Sequence, residues 1–298
     1  MIMLFVLRGT PPTHQKSAEQ RSRYGFTLIE MSIVLIIIGL LTAGILVGRD
    51  LVKSSEAQAQ VSQIQKYQTA VHTFQTKFGG IPGDLDLTLA TQFGFLVGAL
   101  CDGKTQGRRD GNGVLDGWTS PWQLNQAVGE VGLFWQDLSS STGGHLIDGT
   151  FPAAGAPQAL QCNAIPTGAE TSSGIPFYFP TAKIASDNFI YVYEVGGVNY
   201  YGLSAVTSIN VAGYMVSNTT IPVAQTYSID KKIDDGVPTT GNVIAQYLNN
   251  SSTSTSLAPN TTTSGGNSTS CYDTTTNTYS IAQNGGNGEN CALSFKFQ

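Results

Sequence analysis

The chain has 298 residues, 41% of them hydrophobic and 12% charged, with a formal net charge of −5; it can bury a core, yet it carries fewer charges than an ordinary soluble protein. That acidic balance excludes the basic stripe on which nucleic-acid binding rests. Three histidines, with no H-E-x-x-H, P-loop or G-x-S-x-G pattern, leave no catalytic motif, so no enzyme is expected.

Residues 1–25 hold Arg8, Lys16, Arg21 and Arg23 against one acid, Glu19, and show no helical period. They read as a targeting leader. Removing the leader would leave 11 basic and 19 acidic residues, about 8 net negative charges. Residues 31–48 then run without a charge and are rich in Ile, Leu and Val, which is long enough for a membrane-spanning helix. The cations before this run keep its start cytoplasmic, so the chain after Gly48 is expected on the far side of the membrane. An ordinary secretory signal would have a shorter apolar core and a small-residue cleavage site. Here the apolar run leads straight into a helical pattern and is expected to stay on the chain. One acid, Glu30, stands at its mouth. A carboxylate at the centre of a membrane helix costs on the order of 3 kcal/mol, so it is expected to have a partner or to sit among solvated headgroups.

The order of Gly25, Phe26, Thr27, Leu28, Ile29 and Glu30, followed by the apolar run, resembles the class III prepilin signal of type IV pilins and type II secretion pseudopilins. The resemblance implies that prepilin peptidase cuts between Gly25 and Phe26 and that the new Phe26 terminus is N-methylated. It implies that helix 26–48 serves first as an inner-membrane anchor and then as a fibre core. It also implies that Glu30 pairs with the terminal amine of a neighbouring pilin or pseudopilin subunit, neutralising both charges in an apolar setting.

Beyond Asp50, Ala57, Val61, Ile64, Tyr67, Val71, Phe74 and Phe78 recur at alternating spacings of three and four. This is the stripe of an amphipathic helix over residues 49–78, which Gly79, Gly80 and Pro82 would end. Unbroken from 26 to 78, such a helix would extend roughly 80 Å. A stand-alone coiled coil competes for its second half, but only about three heptads are available and the polar face is rich in Gln rather than charge. The helix has no proline, which major pilins often carry, and the region after it is large for a subunit packed densely along a fibre. Both features argue for a minor subunit.

Residues 79–298 read as an α+β domain, so that the whole is α+β: a long N-terminal helix packed on an antiparallel sheet, which the resemblance implies to be pilin-like. The run of Asp110, Gly111, Asn112 and Gly113 reaching to Asp116 is a candidate calcium loop, because Asp110, Asn112 and Asp116 alternate as hard oxygen ligands do. Calcium binding by pseudopilin-like proteins adds weight to that reading. Against it stands a plain turn in which Asp and Asn bond their own backbone. No other cofactor is expected. Two aromatic and β-branched runs joined by Gly196-Gly197 predict a tight hairpin, and further strands are expected at 176–180 and 211–216. Pro222 opens a predicted helix that ends at Gly236. Asp230, Lys231, Lys232, Asp234 and Asp235 at its end could contact a partner subunit, but read first as a solvated helix end. This segment also resembles the globular part of a group of prepilin-like proteins. Residues 249–270 are rich in Ser, Thr and Asn and predict a flexible loop. After it, Tyr279 and Ile281 with Leu293 and Phe295 suggest a terminal hairpin.

Four cysteines without a C-x-x-C pair, downstream of a membrane segment, favour disulfides in an oxidising compartment, although buried thiols remain an alternative. Of three connectivities, Cys271 to Cys291 with Cys101 to Cys162 closes the shortest loops. The resulting expectation is a minor pilin or pseudopilin whose domain is periplasmic or sits in an extracellular fibre. The rival is a monomeric, membrane-anchored binding module, adhesin-like or calcium-binding.

Overall fold

In a computed structural model, the described residues are 25–96, 109–115, 117, 129–151, 170–171, 174–185, 187–209, 215–249 and 255–298. The leader before Gly25, Cys101, Cys162 and Asp116 lie outside them. Helix α1 runs unbroken over Leu28–Phe78. The chain divides at Arg49 into an N-terminal unit and a larger unit from Asp50 to Gln298. In the larger unit, α1 buries Ala57, Val61, Ile64, Tyr67, Val71, Phe74 and Phe78, together with Gln60 and Ala70 between them. The stripe read from spacing is therefore the buried face. Gly79 follows in the left-handed region at φ +83°, and its amide still bonds back to the Gln75 carbonyl at 2.8 Å, closing the helix as only a residue without Cβ does readily.

The helical partners are α2 (Leu87–Phe93), α3 (Gly129–Ser139) and α4 (Val223–Ile233). Among the described residues there are eleven short or medium strands: β1 (Glu170–Thr171), β2 (Phe189–Val195), β3 (Val198–Ile209), β4 (Met215–Asn218), β5 (Val243–Ile244), β6 (Gln246–Tyr247), β7 (Ser256–Leu257), β8 (Asn260–Thr261), β9 (Tyr272–Asp273), β10 (Thr278–Tyr279) and β11 (Leu293–Lys296). The predicted hairpin is β2–β3, turning at Gly196 and Gly197, both at positive φ, as a two-residue hairpin loop of this twist requires. Strand β3 organises the main antiparallel sheet, pairing with β2, β11, β4 and β1, while β5 adds beyond β11.

The two faces of that sheet are packed differently. On one, Tyr201 lies near Tyr67 of α1 and Trp135 and Phe134 of α3, and it stacks on Phe297 at 4.2 Å between centroids. This aromatic layer fixes the lower half of α1 against the sheet and dominates the core by buried area. On the other face Tyr191 and Tyr193 project toward residues 246–248. The Tyr191 hydroxyl accepts from the Leu248 amide at 3.0 Å, and that of Tyr193 donates to Ser294 at 2.7 Å and accepts from Gln246 at 3.1 Å. Gly202 lies beneath Tyr191, where a Cβ would come within 2.2 Å of the ring. Glycine is needed in this strand for that close approach.

Three expectations are corrected. Residues 175–177 form a 3-10 turn, not a strand, because Pro176 lacks the amide a ladder needs. The terminal hairpin does not form: β10 pairs with β9, whereas β11 enters the main sheet between β3 and β5. Finally, the segment read as a loop carries β7, paired with β6, and β8, which pairs in parallel with β9. Its Ser, Thr and Asn side chains bond nearby backbone, as when Asn267 Oδ1 accepts from the Thr269 amide at 3.0 Å. The composition thus encodes local side-chain turns.

Cys271 and Cys291 are joined with a Cα–Cα separation of 5.0 Å, both fully buried. Cys291 bridges to Ile221 and the Val223 amide donates to the Gly288 carbonyl at 3.1 Å, so the disulfide ties the segment before β9 to a stretch whose backbone already holds the start of α4. Replacing both cysteines by alanine is expected to cost about 3 kcal/mol, the loop-entropy value for this spacing. Denaturant melts of oxidised parent and double variant measure it.

Candidate functional site

The N-terminal unit exposes nearly all it has. Phe26 and the large apolar residues from Leu28 to Val47 are exposed on a helix face and its reverse alike, and 28–78 is the one described helix long and apolar enough to cross a membrane. A helix apolar all round is stable only where something other than water surrounds it. Gly25, Phe26 and Thr27 precede the helix without regular structure.

Glu30 does not stand idle at the entrance. Its Oε2 accepts hydrogen bonds from the Thr27 amide at 2.7 Å and the Thr27 hydroxyl at 2.8 Å. In return the Glu30 amide donates to Thr27 Oγ1 at 3.3 Å. This is a reciprocal capping box, in which N-cap threonine and the glutamate three residues on satisfy each other's orphan amides. Thr27 was missed by the sequence reading, although T-x-x-E ahead of an apolar run is the recognised signature of such a box. The acid therefore has a local partner before any second chain approaches.

In the second predicted cluster, Asp110 and Asn112 make hydrogen bonds within their own turn, and Asp116 lies outside the described residues. Asp110 accepts from the amide and the side-chain nitrogen of Asn112, each at 3.0 Å, and Asn112 Oδ1 accepts from the Val114 amide at 2.7 Å. What anchors the turn lies elsewhere in sequence: buried Asp84 accepts from the Gly111 amide at 2.8 Å and the Gly113 amide at 2.7 Å. Asp84, Asp110 and buried Glu130 bring carboxylate oxygens within 4.8 Å of one another. Burial, the largest influence, raises the Asp84 pKa against the hydrogen bonds it accepts. Such a trio can share a proton between two carboxyls or offer hard oxygens to a cation. Beside it, Arg109 makes a bidentate pair with Asp137, Nη2 to Oδ1 at 2.6 Å and Nη1 to Oδ2 at 2.8 Å, both side chains almost wholly buried.

The acids at the end of α4 are only partly solvated: Asp235 is exposed and Asp234 half-buried. Asp230 is fully buried, accepting from the Tyr279 hydroxyl at 2.6 Å and the Gly236 amide at 3.1 Å. Asp234 and Asp235 instead bind the following turn, Asp234 to the Asn242 and Val243 amides and Asp235 to the Val237 amide and Thr240. Burial, opposed by these hydrogen bonds, pushes Asp230 up to about 6 from 3.8. A carboxyl that binds its proton more tightly when folded stabilises most below its unfolded value, and loses that contribution as pH rises through the folded one. Between pH 4 and 6 this site is expected to lose roughly 1–2 kcal/mol, allowing for solvent screening. Thermal melts of parent and Asp230→Asn across that range should show the loss only in the parent.

Residues 20–46 match the family of the prokaryotic N-terminal methylation motif, and the chain thus carries the class III prepilin signal of type IV pilins and pseudopilins. No curated protein and no solved structure matches the chain.

Proposed function

We propose that the chain is a minor pilin or pseudopilin: a structural subunit cut by prepilin peptidase after Gly25, methylated on Phe26, anchored in the inner membrane by α1 and then drawn into a fibre. The observation that carries this reading is that the methylation motif of residues 20–46 covers the start of a helix whose apolar residues as far as Val47 are exposed on every side. A helix of that kind fits a bilayer first and the packed core of a fibre second, since both supply apolar surroundings. The globular unit from Asp50 onward would lie in the periplasm or on the fibre surface. Such a subunit acts by packing and presentation, and the motif likewise points to a structural protein rather than an enzyme.

Intact-mass measurement of the chain extracted from membranes tests the processing step. The expected product begins at N-methyl-phenylalanine 26, and a Gly25→Leu variant should keep its leader. An N-terminus anywhere else would overturn the proposal. Sedimentation with sheared fibres then separates a subunit from a monomeric anchored binding module, which would stay in the membrane fraction.

A further inference from the structure

Three Asn-Gly steps occur in the sequence, at Asn112, Asn284 and Asn287, and the structure gives them unequal chemistry. At the first, the Gly113 amide is engaged by Asp84 at 2.7 Å. At the second, no cation contacts the Asn284 side chain among the described residues. At the third, Lys53 of α1 donates from Nζ to Asn287 Oδ1 at 2.5 Å, while the Asn287 side-chain nitrogen donates to the Asn284 carbonyl at 3.2 Å. Asn287 is exposed to water, and the Gly288 amide makes no hydrogen bond among the described residues.

We infer that Asn287 is a self-modification site: the Gly288 nitrogen displaces its side-chain amide with Lys53 holding the carbonyl oxygen, and the acid that results pairs with Lys53. The Gly288 nitrogen gives its proton to solvent and forms a bond to Asn287 Cγ. Negative charge then develops on Oδ1, where an ammonium already stands, the arrangement by which fixed donors stabilise an oxyanion. Nδ2 takes a proton from solvent, its bond to Cγ breaks and ammonia leaves as the oxyanion collapses, giving a five-membered imide. Water then opens the imide, at Cγ to give aspartate or at the backbone carbonyl to give isoaspartate. No oxidant or further reactant is needed. Ring closure requires rotation about the Asn287 Cα–C bond from its present ψ of 0°, and Gly288 has no side chain to oppose it.

The product changes how the globular unit is held. Asn287 lies in the loop closed by the Cys271–Cys291 disulfide and Lys53 lies on α1, so a hydrogen bond from an ammonium to an uncharged amide becomes a pair of opposite charges. The subunit would thus tighten with age after it is made.

The test is peptide mass mapping of the full chain in detergent, held for days in mildly alkaline buffer. Ammonia loss followed by the amide-to-acid mass gain is expected at Asn287, ahead of Asn284 and Asn112. Lys53→Met is expected to slow conversion at Asn287 about tenfold and leave Asn284 unchanged, while Lys53→Arg, which keeps a cation, should convert like the parent. Retention of the amide at Asn287 while Asn284 converts would overturn the assignment, as would an unchanged rate in Lys53→Met. Should Lys53→Met fail to fold, the order of conversion among the three sites in the parent still decides the matter.

Discussion

Replacing Asp137 by alanine is expected to lower stability by about 3–5 kcal/mol, the loss found when one partner of a buried ion pair is removed, and to lower the melting temperature by about 10 °C. Arg109 would be left as a buried guanidinium without its carboxylate, and the Gly83 amide, which donates to Asp137 Oδ2 at 2.7 Å, would lose its acceptor. Gly83 has no latitude to compensate. It sits at φ +87°, and any Cβ there would meet the Glu130 carbonyl at 2.3 Å. The pair therefore holds three segments, the turn after α1, the stretch at Arg109 and α3. Replacing both partners, as Arg109→Met with Asp137→Leu, is expected to cost less than Asp137→Ala alone, because no charge is then stranded in the core. Melting curves of parent, single and double variants provide the comparison. A double variant as unstable as the single would mean that the segments, rather than the charges, set the cost.

Why this pair was not foreseen says much about what the sequence encodes plainly. The buried stripe of α1 was legible because a repeat of three and four residues has one structural solution, and each residue from Ala57 to Phe78 in the stripe is buried. The β2–β3 hairpin was legible because Gly196-Gly197 fixes both the turn and the register. Cys271 and Cys291 were paired on loop length alone. Each of these is a local signal. Arg109 and Asp137 stand 28 residues apart, and Asp84 reaches Gly111 across 27, with nothing between them to mark the contact. The same limit explains the terminal hairpin: reading pairs the nearest suitable strand, whereas β11 is claimed by the longer β3, with four registered pairs from Leu293 to Lys296. Thr27 is the opposite case. Its capping signature, T-x-x-E ahead of an apolar run, is fully local, and the same acid that reads as a charge near a membrane is also a helix cap.

That dual character of Glu30 shapes the second large expected effect, which rests on the proposed assembly role. Glu30→Ala is expected to reduce incorporation into fibres at least tenfold, since stranding an amine in an apolar core costs on the order of 3 kcal/mol and each 1.4 kcal/mol is about a factor of ten. Alanine also removes the capping box, whose loss alone costs about 1 kcal/mol, so this variant does not by itself identify the cause. Glu30→Gln does. Glutamine serves in a capping box as glutamate does, and it keeps an oxygen for the Thr27 amide and hydroxyl, but it brings no charge to a neighbour's amine. If Glu30 is above all a cap, Glu30→Gln should enter fibres like the parent, and Thr27→Val should be as defective as Glu30→Ala. If the charge is what matters, Glu30→Gln should fail with Glu30→Ala, while Thr27→Val, which leaves the backbone amide of the box in place, should be only mildly affected. The second pattern is expected, because the capping contacts are made within one chain and gain nothing when a second chain arrives. Only the pairing of opposite charges between chains grows stronger as water leaves, and a contact that strengthens on assembly is what can drive it.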